Sequence, residues 1–496
     1  MKKLVALLAA VILGTQSLYA TDFLFMKNVK FYGEGQTIGY SVQNGYDVNL
    51  GKLVPGIVAM RDGETSEGML NSNYSGVTTF LTAGLTFDIV ENISADFSLA
   101  YSTSWGEGNK FLGLVDNLNG SATKGDSIQS YLDNIRVQTA NVTIKKLFDV
   151  DGLSIKVGRQ YYGDEDSSVM YFGIRHDQPL FGLNLPLIGF DSVSSVDAAT
   201  VYYEKENIKA NFIYANLGKV LGVPLNVDGL IMPLAAGEAY NRGIDLGRDT
   251  TVVGADAKFL NLADILNVQV YAYDIENPLV AHYDIVGVKP SVEVDGLKAS
   301  VEFAMNFAGD NPFSTGDLFI ESFPVKSEAN LIKADVSYDL EKKAKVRAGF
   351  AVQGGTEGIK EFLNGEYPGK ISVKPFINFG NYVPGIVFGQ QEITRLLSMI
   401  DFRAINVGAD YYKDKFTFSA DYYNFAARDN GLNYGDELDL KVKYKYIEGL
   451  DFFCAVGCFM VSDDINSKIK QATGGAMENF LSDITSTIQL GASYKF

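Results

Sequence analysis

Two cysteines and two histidines are all that 496 residues hold of the side chains best suited to metal and nucleophilic chemistry. Cys454 and Cys458 lie four apart in a segment that reads as one strand. At ~3.3 Å per residue their Cα atoms stand roughly 13 Å apart, too far for a disulfide. Both read as small apolar residues on an outward face. His176 and His282 fall near loops, and no Ser or Asp pair is organised about either, so a lipase or protease triad is missing. No glycine motif between a strand and a helix offers a phosphate cradle. Asp164-Glu165-Asp166 lacks the spacing of a calcium loop and reads as a solvated loop, with weak divalent binding beside surface sugars as the alternative. No catalytic residue, no metal site and no cofactor is expected.

Cations are outnumbered, 42 Lys and Arg against 60 Asp and Glu, for a formal net charge of −18. That balance disfavours nucleic acid as a partner, and none is expected. Proline is scarce, at 12 residues. There is no linker, low-complexity tract or composition break, so one large architecture is expected rather than several domains. Residues 1–20 read as a secretory signal peptide: a basic Met1-Lys2-Lys3, an apolar run from Leu4 to Leu13, and a small-residue end at Ala20. Beyond it no run approaches the roughly 18 apolar residues of a spanning helix. The expected organisation is a leader over 1–20 and a single domain over 21–496, exported without a helical anchor.

Glycine (50), phenylalanine (32) and tyrosine (28) are plentiful, yet mean hydropathy is only +0.03. A barrel that is apolar outside and polar inside, with aromatic girdles, reconciles the two. The pattern is plainest in the last thirteen residues. Ile484, Ile488, Leu490, Ala492, Tyr494 and Phe496 alternate with Thr485, Thr487, Gln489, Gly491, Ser493 and Lys495. A strand sends alternate side chains to opposite faces, so this one is greasy on one side and wet on the other. Its terminal Phe resembles the C-terminal signal of bacterial outer-membrane proteins.

The same alternation recurs throughout. Val77, Leu81, Ala83, Leu85, Phe87 and Ile89 share a face, and after a short turn Ile93, Ala95, Phe97, Leu99, Tyr101 and Trp105 do likewise. Further hairpins are expected at 132–146 with 153–162, 196–204 with 208–216, 250–260 with 267–276, and 281–293 with 297–307. Three more fall at 331–340 with 344–353, 402–412 with 415–426, and 437–446 with 450–461. Strands at 29–42 and 484–496 complete eighteen. Phase slips around Thr139–Asn141 and near Pro290 read as bulges. Val150-Asp151-Gly152-Leu153, Val294-Asp295-Gly296-Leu297 and Ile447-Glu448-Gly449-Leu450 read as positive-φ hairpin turns, and Val227–Leu230 repeats the motif inside a loop.

Connections alternate in length. Short turns follow every even-numbered strand, and longer loops follow the odd ones apart from a brief one at 277–280, which is the mark of a bacterial outer-membrane barrel with its short side periplasmic. Counting Lys370–Phe379 as a strand would break that parity, so it belongs inside the loop 354–401. That loop carries Val383-Pro384-Gly385-Ile386-Val387, and the first long loop carries Val54-Pro55-Gly56-Ile57-Val58. Both copies are candidates to fold inward and constrict the passage.

The polar phase of each strand supplies the expected lining: Lys298 and Glu302, Lys333 and Asp335, Lys345 and Arg347, Asp421, then Asp439, Lys441, Lys443 and Lys445, with Asp256 and Lys258 earlier in the chain. A charge on the lipid face near mid-membrane costs ~2–4 kcal/mol, so these must face water. Positive ladders facing scattered carboxylates can bias ion choice.

The stretch Leu147–Asp164, with Val157-Gly158-Arg159-Gln160 and Tyr162-Gly163-Asp164, resembles the strand carrying that motif in alginate-export-type porins. These are eighteen-stranded outer-membrane channels, related in shape to substrate-selective porins. The resemblance implies a monomeric barrel that passes an anionic polysaccharide through a basic constriction, with Arg159 the matching residue. Alternation instead puts Arg159 on the face of Ile155 and Val157, expected outside, unless a bulge at Gly158 turns it inward.

The expected class is therefore all-β: a transmembrane antiparallel up-and-down barrel in the bacterial cell outer membrane. It would be a porin, a water-filled channel for passive diffusion of small hydrophilic solutes or ions, surrounded by outer-membrane lipid and lipopolysaccharide. Both a monomer and a homotrimer remain open. The alternative is a structural or adhesive surface barrel with a loop-closed pore. A plugged active transporter is excluded, because strand-like sequence starts by about Val29.

Overall fold

The computed structural model describes residues 22–23, 26–43, 48–49, 69–70, 74–106, 135–174, 195–219, 249–277, 281–308, 329–357, 372–373, 385–388, 401–429, 431–472 and 483–496. The signal peptide and the copy of the pentapeptide at Val54–Val58 lie outside them, as does Val227–Leu230.

Eighteen long antiparallel strands close on themselves among the described residues. In chain order they are β1 (Met26–Gln43), β2 (Tyr74–Val90), β3 (Ile93–Gly106), β4 (Ile135–Lys145), β5 (Leu153–Gln160) and β6 (Val196–Lys205). There follow β7 (Ile208–Lys219), β8 (Asp249–Leu262), β9 (Leu266–Asn277), β10 (Ala281–Val294), β11 (Leu297–Ala308) and β12 (Ala329–Leu340). The last six are β13 (Ala344–Gly354), β14 (Asp401–Lys413), β15 (Phe416–Ala426), β16 (Asn433–Ile447), β17 (Leu450–Val461) and β18 (Ile484–Lys495). Each pairs with its neighbours in sequence, and β1 pairs with β18 from Glu34↔Lys495 to Gln43↔Ser486. The backbone of Phe496 extends that seam, donating to Gly33 at 2.9 Å and accepting from it at 3.1 Å. Its ring fills the space that a side chain at Gly33 would need.

Alternation sorts the faces as expected. On β16, Leu438, Leu440 and Val442 are 44%, 49% and 37% exposed, while Glu437 and Asp439 are 0% and 6% exposed. The exposed apolar phase recurs on every wall, and water could not tolerate so continuous a surface, so the outer face is a lipid face. Cys454 and Cys458 sit on it as free thiols, paired in register with Leu490 and Ser486. Outward aromatics gather near the short turns. Phe416 meets Tyr444 at 4.7 Å between ring centroids, and Tyr446 meets Phe452 at 6.1 Å. This is the girdle that composition anticipated.

A short connection follows each even-numbered strand from β2 to β16, and one odd-numbered strand, β9, is followed by an equally brief one between Asn277 and Ala281. Asp295 and Gly296 both take positive φ, 47° and 82°, the requirement of a tight hairpin turn. Gly152 and Gly449 take positive φ in the matching turns. In the loop 354–401, Ser372–Val373 pairs only with Thr356–Glu357 and stays out of the barrel.

One expected bulge is real and one is not. Ser98↔Thr139 followed by Leu99↔Val137 leaves Gln138 as the extra residue, so Gln138 and Thr139 are both buried. Near Pro290 the register is the same on either side, Val288↔Phe303 and Ser291↔Ser300. Proline lacks an N–H, so it interrupts the ladder there without shifting it.

Leu490 is 59% exposed on the lipid face in the middle of β18. Leu490→Arg should therefore cost ~2–4 kcal/mol of folding free energy in bilayers, read as a lower urea midpoint for the heat-modifiable gel band. An unchanged midpoint would mean the face is assigned wrongly.

Candidate functional site

Two chain segments lie inside the barrel, against neighbouring stretches of wall. The first follows β5. Tyr162–Gly163 pairs with Tyr171–Phe172 as a miniature hairpin. Tyr162, Val169, Met170 and Phe172 bury their side chains among Ile213, Val252, Ile275, Ile285 and Leu331, on the inner faces of β7 to β12. Asp164 pairs with Lys258, and Asp166 with Lys289 at 3.1 Å. Burial pushes the Asp166 carboxyl up, but Lys289, then Lys258 and Lys333, outweigh it and hold it below the ordinary carboxylate range. The Asp164-Glu165-Asp166 run is exposed, as expected, but two of its carboxylates are paired with inner-wall lysines. Lysines on the inner wall draw Asp164 and Asp166 into the barrel.

The second segment is Gly385–Phe388, the end of one pentapeptide and the residue after it. Three successive backbone N–H groups bond inner-wall carboxylates of β16. Ile386 donates to Asp439 at 2.9 Å, and Val387 and Phe388 donate to the two oxygens of Glu437 at 2.7 Å each. Consecutive N–H groups in a turn form a concave anion site, and here the anion is the wall's own. The Phe388 ring stacks on Phe425 at 4.1 Å and packs against Phe402, Tyr434 and Phe459. The expectation that this pentapeptide folds inward agrees with that seating for Gly385–Val387.

The charged residues singled out from alternation lie on the inner phase. Arg347 is held between Asp410 and Asp421, with both Nε and Nη2 donating to Asp421 at 2.8 and 2.6 Å. Lys333 pairs with Asp335 at 3.1 Å and Lys443 with Asp451 at 2.9 Å. Lys441 stands over the Phe453 ring at 5.2 Å. Glu302 is 2% exposed and accepts from the Tyr271 hydroxyl at 2.9 Å. Asp256 accepts from Tyr162 at 2.7 Å and from Asn211. Lys298 sits beside the Asp295–Gly296 turn, paired with Glu293 at 2.6 Å, so it belongs to the rim rather than the middle. Lys345 and Lys445 lie toward the turn ends of β13 and β16. Strand phase puts lysines in a ladder. Tertiary pairing converts much of that ladder into ion pairs.

Arg159 requires a correction. Gly158 does take positive φ, 116°, but the pairing Ala199↔Val157, Ala198↔Gly158, Asp197↔Arg159 runs on without a slip. Arg159 therefore stays on the face of Val157, which is 50% exposed, and forks onto Asp197 with two bonds of 2.9 Å. It has no place in an inner constriction. The inner-face tyrosines 202, 271 and 273 were missed. Their signal was available: on β9, Gln269, Tyr271 and Tyr273 share the polar phase, so aromatics there stand on the wet face. His176 and the His282 side chain lie outside the described residues.

A closed eighteen-stranded barrel with a lipid face outside, ion pairs inside and two inward-seated segments defines the class: a transmembrane antiparallel β-barrel. Solved outer-membrane porins share this fold. OpdQ of Pseudomonas aeruginosa aligns with a TM-score of 0.52 at 9% identity, covering 95% of this chain and 99% of that one. A BenF-like porin from Pseudomonas fluorescens gives 0.52 at 7% identity, with 95% and 99% coverage. OccAB4 of Acinetobacter baumannii gives 0.51 at 10%, with 94% and 98%. At these identities the likeness is one of fold. No protein-family model and no curated protein matches the sequence.

Arg347→Ala strands Asp410 and Asp421, whose side chains are only 14% and 16% exposed. The expected loss is about 2 kcal/mol, below the ~3–5 of a fully buried pair, read from urea unfolding in detergent. A change within about 0.5 kcal/mol, the range of an ordinary surface substitution, would show that solvent already screens the cluster.

Proposed function

We propose that this chain is an outer-membrane porin, a water-filled passage for small hydrophilic solutes or ions moving by diffusion. One observation carries the reading: ionic side chains line the inner phase of a barrel whose outer phase is apolar, and a barrel of eighteen strands leaves an aqueous channel. The proposed lining is Glu302, Lys333, Asp335, Lys345, Arg347, Asp421, Lys441, Lys443 and Lys445, with Lys298 at the rim. The 161–174 segment and the Gly385–Phe388 turn narrow the passage from two stretches of wall. Passage needs no bond-making, and the protein is read as a channel rather than an enzyme. Its surroundings are outer-membrane lipid and lipopolysaccharide, as a monomer or a homotrimer. Sealing by the same inward segments would make it a structural surface barrel, the reading favoured by how much apolar surface those segments bury.

Planar-bilayer recording of purified, refolded protein separates the two. Steady open steps are expected, with a reversal potential near zero under a salt gradient because most lining cations carry a carboxylate partner. Persistent silence from protein with a heat-modifiable gel band would favour the sealed barrel. Deleting residues 380–390 should raise single-channel conductance, since it removes the turn seated on Glu437 and Asp439. Unchanged conductance would remove that turn from the constriction.

A further inference from the structure

A cavity of about 200 Å³ opens between the 161–174 segment and the inner wall of β6 to β9. It is smaller than the roughly 300–1,000 Å³ pockets that enclose drug-sized ligands, and suits a single ring. Five tyrosines line it: Tyr161, Tyr162, Tyr202, Tyr271 and Tyr273. Asn211, Gln269 and Asp256 supply the amide and carboxylate groups.

The wall side is built by register. Tyr202↔Asn211, Asn211↔Asp256 and Asp256↔Tyr271 are direct cross-strand partners, so four lining side chains form one row across four strands. The next position in that row is Gly287, where any β-carbon would collide with the Tyr271 ring. Glycine there lets the ring lean across β10 until its hydroxyl reaches Glu302. The Tyr271 and Tyr273 rings stack at 5.9 Å. Positioned aromatic rings offer apolar area at low entropic cost, and their hydroxyls give directional contacts.

Charge decides what such a row prefers. Lys258, the cross-strand partner of Gln269, is tied to Asp164, and Lys289 to Asp166. Asp256 is already held by Tyr162 and Asn211. A carboxylate solute would face Asp256, while Lys156, the cation over the Tyr202 ring at 5.4 Å, stands outside the cavity lining. The Gln269 side chain makes no hydrogen bond to the described residues and offers both a donor and an acceptor. Rings, amides, hydroxyls and a compensated carboxylate match a solute that is itself rich in hydroxyls and uncharged.

We propose that this cavity is a subsite for one ring of a neutral polyhydroxylated solute, a sugar or sugar alcohol. The assignment rests on the channel reading for its purpose, but not for its chemistry. Asp256 and Gln269 accept from and donate to solute hydroxyls, and the tyrosine rings cover the apolar face of the ring.

The test is titration calorimetry on refolded protein in detergent with D-glucose, D-glucuronate and D-glucosamine, which share a pyranose ring and differ in charge. Glucose should bind saturably and roughly tenfold tighter than either charged analogue, about the discrimination one lost hydrogen bond provides. Gln269→Ala and Tyr271→Phe should each weaken glucose by a similar roughly tenfold factor. No saturable glucose heat overturns the proposal. So does equal or tighter binding of glucuronate or glucosamine, or glucose binding that neither variant changes. Bilayer recording of the same sample keeps the two readings apart. Conduction without glucose binding removes the subsite and leaves the channel, and glucose binding without conduction does the reverse.

Discussion

A backbone amide in hydrocarbon has no water to bond, and each unmet group costs several kcal/mol. That demand makes the seam between β1 and β18 the contact on which everything else depends. An open sheet of seventeen pairings would leave two edges in lipid. Ten register pairs from Glu34↔Lys495 to Gln43↔Ser486 remove both at once. The backbone of Phe496, bonded to Gly33, carries the seam one residue further toward the short-turn rim. Closure also creates an inside, and only an inside allows charges on every second residue of a strand that crosses a membrane.

The inside is not uniformly polar. Where the two inward segments rest, the wall is apolar on its inner phase as well: Phe402, Phe425 and Phe459 under Phe388, and Ile213, Ile275 and Leu331 under the 161–174 segment. Such strands lose their alternation, because both faces are dry. β17, Leu-Asp-Phe-Phe-Cys-Ala-Val-Gly-Cys-Phe-Met-Val, is the plainest case. Each segment is also fixed by charge. Wall carboxylates hold the backbone N–H groups of residues 386–388, and wall lysines hold Asp164 and Asp166. The two anchors use opposite signs, so the inner wall reserves some carboxylates and some lysines for structure, and these are withdrawn from any passing solute.

Electrostatic consequences follow from pairing rather than from counting. Arg347 with Asp410 and Asp421 is a partly buried cluster whose cation is outnumbered. Lys333 and Lys443 each have a carboxylate at about 3 Å. Strand phase alone would read these positions as a positive ladder. Their neighbours make them nearly neutral, and the Arg159–Asp197 pair on the outer phase repeats the device where no channel is involved.

The eighteen strands, the even-numbered short turns, the lipid face of Leu438, Leu440 and Leu490 and the bulge beside Thr139 were all readable before any coordinates. Each depends on a period of two and on turn chemistry a few residues long, which are local properties of the chain. Even Pro290 misled only locally, because a missing donor and a phase slip leave similar traces in a sequence. The meeting of Asp164 with Lys258, the cradle of three N–H groups around Glu437 and Asp439, and the tyrosine row across β6 to β9 were not readable. Those depend on where a long loop re-enters the barrel and on how neighbouring strands bring side chains together. Alternation says which way a residue points, and only the closed, curved wall decides what it meets there.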